Sequence, residues 1–330
     1  MSIAPTEPMT ADEPRTPEEP PPPHVIEVSH LRKTYGPVIA AADVSFTVAR
    51  REIFGVLGRN GAGKTTTVEC IAGLRSADSG TISVLGSDPR RDGRALHERM
   101  GVQPQHSALP ERIRVREAVE LYASFYRRPA DPGELLQTLG LAQVSDQYFK
   151  GLSGGQKQRL SIVLALIGRP EIAILDELTT GLDPEARRET WRLIERVRDS
   201  GVTIVLVTHL MEEAERLCDR VALIDRGRVV ALDRPAALAR AAAGTRVRLR
   251  APSAADPVLR ALPGVTAIER HGPDLIVSGA GDLVTDVVLT LDRAGLRAQD
   301  VRPETAHLED AFLALTEEAE PATTNRETPR

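Results

Sequence analysis

Glu52-Ile53-Phe54-Gly55-Val56-Leu57-Gly58-Arg59-Asn60-Gly61-Ala62-Gly63-Lys64-Thr65-Thr66 is the stretch on which the fold turns. Residues 52–57 are a short apolar run and Thr65–Leu74 has a helical period, so the segment reads strand, loop, helix. Gly58 through Thr65 has the spacing of a phosphate-binding P-loop. Its glycines let backbone N–H groups turn inward around phosphate oxygens, and the helix opening near Lys64 adds the positive end of its dipole. Lys64 is expected to reach the β- and γ-phosphates of a nucleotide, and the Thr65 hydroxyl to ligate Mg²⁺. The binding candidates are therefore Gly58, Arg59, Asn60, Gly61, Ala62, Gly63, Lys64, Thr65 and Thr66.

A second stretch, Ile172-Ala173-Ile174-Leu175-Asp176-Glu177, is an apolar strand ending in two carboxylates. Ligands of parallel sheets bind at the carboxyl ends of the strands, which is where this pair would lie. Alone, the pair reads equally as a cap for the next helix. Beside a phosphate loop, Asp176 reads as a Mg²⁺ holder, acting through water, and Glu177 as the group that polarises the attacking water.

Further strands are expected at Val25–Val28, Val44–Val48 and Val202–Val207, and helices at Gln156–Ile167, Pro184–Arg198 and Met211–Cys218. This alternation predicts an α/β domain over 24–240, with residues 111–150 a purely helical insert. From residue 241 the order changes. Arg246–Arg250, Val265–Arg270, Leu275–Ser278 and Leu296–Val301 read as strands, and Asp256–Leu262 and Leu283–Asp292 as helices. Such a βαββαβ order predicts a ferredoxin-like α+β domain over 241–317, closed by a helix at His307–Leu315. The acidic, proline-rich segment 1–23 and the segment 318–330 lack the apolar content to fold and are expected to be disordered tails.

The 330 residues are 41% apolar, enough for two cores. A net charge of −5 offers no footprint for nucleic acid. Cys70 and Cys218 sit in apolar stretches without metal-type spacing and read as reduced core thiols. The most apolar run, residues 162–167, is far short of the roughly 20 residues that cross a bilayer, and no signal-peptide pattern is present. A soluble, cytoplasmic chain is expected.

Leu152-Ser153-Gly154-Gly155-Gln156, between the P-loop and the Asp-Glu strand, resembles the signature of ABC ATPases. The resemblance covers about residues 25–240 and implies an α/β P-loop NTPase of that type, with ATP and Mg²⁺ as cofactors. It also implies roles for single residues. Tyr35 matches the aromatic that stacks on adenine. Gln105, in Val102-Gln103-Pro104-Gln105, matches a glutamine that contacts Mg²⁺ and the attacking water. Gly181-Leu182-Asp183 matches the loop linking two subunits' sites, and His209 matches the histidine at the γ-phosphate. Asp-Glu is commonly followed by proline in the family; Leu178 stands there instead, which is expected to loosen the turn. Ser153 is a good N-cap and Gly154 and Gly155 allow close approach, so the helix from Gln156 points at an anion. In the family that anion is ATP on the opposite subunit. One P-loop and one signature per chain then imply a homodimer.

Leu308-Glu309-Asp310-Ala311-Phe312-Leu313-Ala314-Leu315-Thr316, together with Leu-Met-Glu-Glu-Ala-Glu at 210–215, resembles daunorubicin-resistance-type export ATPases. That branch implies a peripheral subunit on the cytoplasmic membrane face, driving export of drug-like or lipid-like cargo through a separate permease. The rival readings are an importer subunit, an ABC ATPase of translation or DNA maintenance, and a nucleotide-binding regulator. Against the second stand the single ATPase unit, the lack of sustained heptads and the lack of zinc-type cysteines. Glu177, Gln105 and His209 together disfavour the third.

Overall fold

The computed structural model describes residues 24–104, 109–243, 245–304 and 307–317. The expected tails and Gln105 lie outside the described residues. In chain order the first part comprises β1 (His24–Tyr35), β2 (Val38–Ala49), β3 (Ile53–Leu57), α1 (Lys64–Ile71), β4 (Ser79–Val84), α2 (Pro89–His97) and β5 (Met100–Gln103). Then come α3 (Val115–Ala123), α4 (Pro132–Thr138), α5 (Gly154–Leu166), β6 (Ile172–Asp176), α6 (Pro184–Asp199), β7 (Thr203–Thr208) and α7 (Met211–Leu217). A hairpin, β8 (Arg220–Asp225) and β9 (Arg228–Asp233), leads into α8 (Pro235–Ala243).

The nine strands form one sheet in the order β4-β1-β2-β9-β8-β3-β7-β6-β5. β8, β3, β7, β6 and β5 run parallel, whereas β1, β2 and β4 pair antiparallel. The sheet is thus mixed. The middle positions of its parallel strands are apolar and buried because both faces are covered, and the polar residues sit at the strand ends. Ile53, Leu57, Ala173, Leu175, Ile204 and Leu206 face one core with α5, α6 and α7. Phe54, Val56, Ile172, Ile174, Val205 and Val207 face the other, over α1 and the antiparallel strands. The segment expected to be purely helical carries α3, α4 and two short 3₁₀ turns at Ala142–Val144 and Phe149–Gly151. It also contains an isolated bridge between Arg114 and Tyr148, which closes its ends.

A second sheet follows, built from β10 (Thr245–Arg250), α9 (Ala255–Arg260), β11 (Val265–His271), β12 (Asp274–Gly279), α10 (Leu283–Arg293) and β13 (Gln299–Glu304). Its strand order is β11-β12-β10-β13, all neighbours antiparallel. Val247, Leu249, Leu275, Val277, Val287 and Leu291 make its own core. The last strand starts three residues later than the expected Leu296–Val301. Leu296 and Ala298 pack on this core from the preceding loop, so their apolar character reports packing rather than strand. The closing helix α11 (Leu308–Glu317) returns to α8, and its Leu308, Ala311 and Phe312 join the first sheet's core.

Candidate functional site

The loop after β3 and the ends of β6 and β7 meet at the carboxyl edge of three adjacent parallel strands. Gly63, at φ 102°, is the N-cap of α1, and a methyl group there would collide with the carbonyl oxygen of Ala40. Gly58 is equally confined, against the carbonyl of Ile224. The β8–β9 turn buttresses the loop from outside: Gly227 N–H donates to the Ala62 carbonyl (2.9 Å), and the Gly227 carbonyl accepts from Ala42 (2.7 Å). Arg226 and Gly227 form the two-residue turn of this hairpin, both at positive φ (46° and 73°), and of the two only the glycine is a turn residue by type. Reading the phosphate loop alone missed the hairpin.

Lys64 is buried, and its ammonium donates to the carbonyls of Gly58 (2.9 Å) and Arg59 (3.1 Å), which holds the charge inside the loop. Burial lowers its pKa, while Glu177 and Asp176 act in the opposite direction. Thr65 Oγ1 lies 3.5 Å from Asp176 Oδ2. Arg59, Asn60, Gly61 and Thr65 are exposed, and Ala62 is buried beneath them.

Asp176 is 4% exposed, and its Oδ1 has no hydrogen-bond partner. Burial first, then repulsion from Glu177, pushes its pKa from 3.8 up to about 6. A buried carboxylate oxygen beside a threonine hydroxyl and a P-loop is a donor set that suits a hard cation with few protein ligands. Glu177 follows at φ 49°, a left-handed conformation costing a non-glycine residue about 1–2 kcal/mol. Its N–H donates to Val207 O (2.8 Å), and its Oε1 lies 3.2 Å from His209 Nδ1. The next residue, Leu178, is fully buried in the first core. Where proline would stiffen this turn through φ, Leu178 fixes it through its side chain.

Two expected residue groups remain. Tyr35 is partly exposed at the end of β1, with Lys33 Nζ 5.5 Å and the Arg75 guanidinium 5.4 Å from its ring centre. Ser153 caps α5 in a capping box: its Oγ accepts from Gln156 N (3.3 Å), and its N–H donates to Gln156 Oε1 (2.9 Å). Ser153, Gly154 and Gly155 line a cleft of about 410 Å³ with Gly181, Leu182 and Asp183, and no P-loop residue lines it. Asp183 caps α6 through the N–H groups of Glu185 (3.0 Å) and Ala186 (2.9 Å). A roomier cavity of about 730 Å³, among Glu52, Asp219 and Arg234, sits at the amino ends of β3 and β8, the wrong edge for ligands of such a sheet.

Residues 41–180 match the ABC transporter family model. The daunorubicin resistance ATP-binding protein DrrA3 of Streptomyces coeruleorubidus is 36% identical over 301 residues, 88% of this chain and 95% of that protein. The chain belongs to the ABC transporter ATP-binding proteins. The Nod factor export ATP-binding protein I of Paraburkholderia xenovorans is 38% identical over 88% of this chain and 96% of its own length. Among solved structures, an ATP-binding subunit of an ABC transporter shares 30% identity and superposes at a TM-score of 0.60, covering 66% of this chain and 92% of that one. The dimeric structure of MJ0796, a bacterial ABC transporter cassette, shares the fold (TM-score 0.57, 24% identity, 63% of this chain and 98% of that one). As an ABC ATPase, the chain hydrolyses ATP, and the carboxylates and P-loop above lie where an α/β sheet presents its ligand edge.

The raised Asp176 gives this ABC ATPase a measurable trade-off. Because its folded pKa exceeds 3.8, the folded chain holds a proton between about pH 4 and 6 that the unfolded chain releases. The penalty of the buried charge is therefore complete above pH 6 and fades towards pH 4. Asp176→Asn should stabilise the protein by about 1–3 kcal/mol near neutral pH, or roughly 2–4 °C per kcal/mol in thermal unfolding. Measured in chelator without nucleotide, the gain should shrink at about pH 5. A gain independent of pH would exclude the charge as its cause.

Proposed function

We propose that this chain is the ATP-hydrolysing subunit of an exporter, working in pairs beneath a separate membrane-spanning permease on the cytoplasmic face. The observation that carries the reading is the meeting of Lys64, Thr65, Asp176, Glu177 and His209 on one strand edge, with the Ser153 signature in a cleft of its own. In this reading Gly58–Gly63, Lys64, Thr65 and Thr66 bind the phosphates, and Tyr35 takes the adenine. Thr65 and Asp176 hold Mg²⁺, with Gln105 from the segment outside the described residues. A bound Mg²⁺ would neutralise charge developing on the β- and γ-phosphates. Glu177 orients and polarises the attacking water, and His209 steadies both Glu177 and the γ-phosphate. Ser153, Gly154, Gly155 and Gln156 of a second copy cover the nucleotide, supported by the separation of the two clefts within one chain.

Export is favoured because the relatives named for daunorubicin resistance and Nod factor export align along nearly their whole length, including the C-terminal part. A drug-like or lipid-like cargo is part of this reading, and the relative named for daunorubicin resistance supports the drug-like class. Two units are supported by the two sheets having separate cores, with α8 running across residue 240 and α11 packing on the first unit rather than the second. The βαββαβ order and the β11-β12-β10-β13 arrangement support a ferredoxin-like unit. No described helix is long and apolar enough to cross a membrane, and in this reading the permease is a separate chain. Detergent extraction of membranes should therefore recover the tagged protein with a multi-span protein, and Lys64-dependent phosphate release should accompany the complex. Recovery only with ribosomes or DNA would instead support a role in translation or DNA maintenance.

A further inference from the structure

The motif Glu212-Glu213-Ala214-Glu215 begins three residues after His209, and the roles assigned so far leave Glu213 unused. Glu213 is fully buried on α7. Its Oε1 accepts from Thr179 Oγ1 at 2.8 Å and from Trp191 Nε1 at 3.2 Å, and its Oε2 has no hydrogen-bond partner. A polar group buried in a core, with one oxygen bridging two donors and the other unsatisfied, is not explained by packing, which leucine would serve at least as well. Such violations of local rules gather where function demands them.

What the oxygen joins is specific. Thr179, also fully buried, stands two residues after Glu177 in the turn that closes with Leu182 N–H donating to Thr179 O (3.2 Å). Trp191 lies on α6, the helix that Asp183 caps directly after Gly181 and Leu182. α7 itself starts two residues beyond His209. One carboxylate oxygen thereby ties the turn bearing Glu177, the helix leading from the 181–183 loop and the helix following His209. These three segments cannot shift independently while both hydrogen bonds are made.

We propose that Glu213 is a positioning residue for ATP hydrolysis, fixing Glu177 relative to His209 and to the 181–183 loop by accepting hydrogen bonds from Thr179 and Trp191. It touches neither nucleotide nor water; it acts through the turn. The inference rests on the assignment of Glu177 as the group that polarises water.

The test uses the full-length chain. Glu213→Ala should lower kcat for ATP about 10–100-fold and leave KM for ATP within about twofold, because the P-loop is untouched. Glu213→Gln keeps an oxygen acceptor and should restore kcat to within about threefold. Thr179→Val, nearly isosteric, should reproduce part of the loss and add little when combined with Glu213→Ala. Should Glu213→Ala fail to fold, Glu213→Gln and Thr179→Val alone decide the matter. A folded Glu213→Ala, or Thr179→Val, at wild-type kcat overturns the inference, as does a glutamine variant as slow as alanine. Activity lost only in proportion to unfolded material would also overturn it. If the wild type shows no Glu177-dependent turnover, both the inference and the assignment beneath it fall; if that dependence holds while the Glu213 series is flat, only the inference falls.

Discussion

Glu177→Gln is expected to cut ATP turnover by about 10²–10⁴-fold, the range that a positioned proton-accepting group supplies, while leaving nucleotide binding intact. Glutamine has the same shape, can stay within reach of His209 and keeps the backbone N–H donation to Val207 O, so the turn should hold. What disappears is the carboxylate's capacity to polarise water. A chain that binds ATP but no longer splits it should then accumulate in the closed pair, because nucleotide bridging two copies favours the associated state by mass action. Sedimentation should show the mass of the variant doubling when ATP and Mg²⁺ are added, with only a weak dimer in their absence. Residual turnover within tenfold of wild type would remove Glu177 from its assigned role. An unchanged mass with ATP would count against the paired site.

The second large effect concerns the separation between Lys64 and the Ser153 cleft. Lys64→Ala removes the ammonium held inside the loop and should abolish measurable turnover, because clamps on transferring phosphoryl groups supply much of such a reaction's acceleration. Gly154→Asp should also abolish it, though for a different reason. A side-chain atom at Gly154 meets only Leu182 at an ordinary contact distance, so the fold tolerates it, and an acidic residue in the first turn suits the helix dipole. Its charge, however, would face phosphates presented by a partner copy. Each variant alone is dead, yet an equimolar mixture pairs at random. Half of the dimers then hold one intact P-loop opposite one intact signature, so about a quarter of the wild-type rate should return. No recovery on mixing would mean that each chain works by itself.

Much of this was legible in the sequence because the informative features are local. The strand, glycine loop and helix from Ile53 to Ile71 follow from contiguous residues, and Ser153 announces the cap of α5 by the Gln156 three positions on. Strands buried on both faces show as unbroken apolar runs. What stayed hidden depends on distant pairing. Thr179 and Trp191 converge on Glu213 from 34 and 22 residues away, and no periodicity marks such a meeting. The β8–β9 hairpin turns on Arg226-Gly227, where arginine does not announce its positive φ, and β13 begins later than its apolar run suggests because Leu296 and Ala298 are apolar for tertiary reasons. Nor does sequence show that Leu178, read as loosening its turn, is pinned in the core.

The way α11 comes home has a consequence for how the chain can change. α8 leaves the first sheet and α11 packs back beside it, so the β10–β13 sheet is spliced between two neighbouring helices. The return is fastened at its start, where Glu215 of α7 accepts from Leu308 N–H and lies 3.3 Å from His307 Nδ1. Topologically the second sheet is an insertion whose two ends lie close together, not an appendage hung on a free terminus. Joining α8 directly to α11 should therefore remove that module without cutting any strand of the nine-stranded sheet that carries the P-loop.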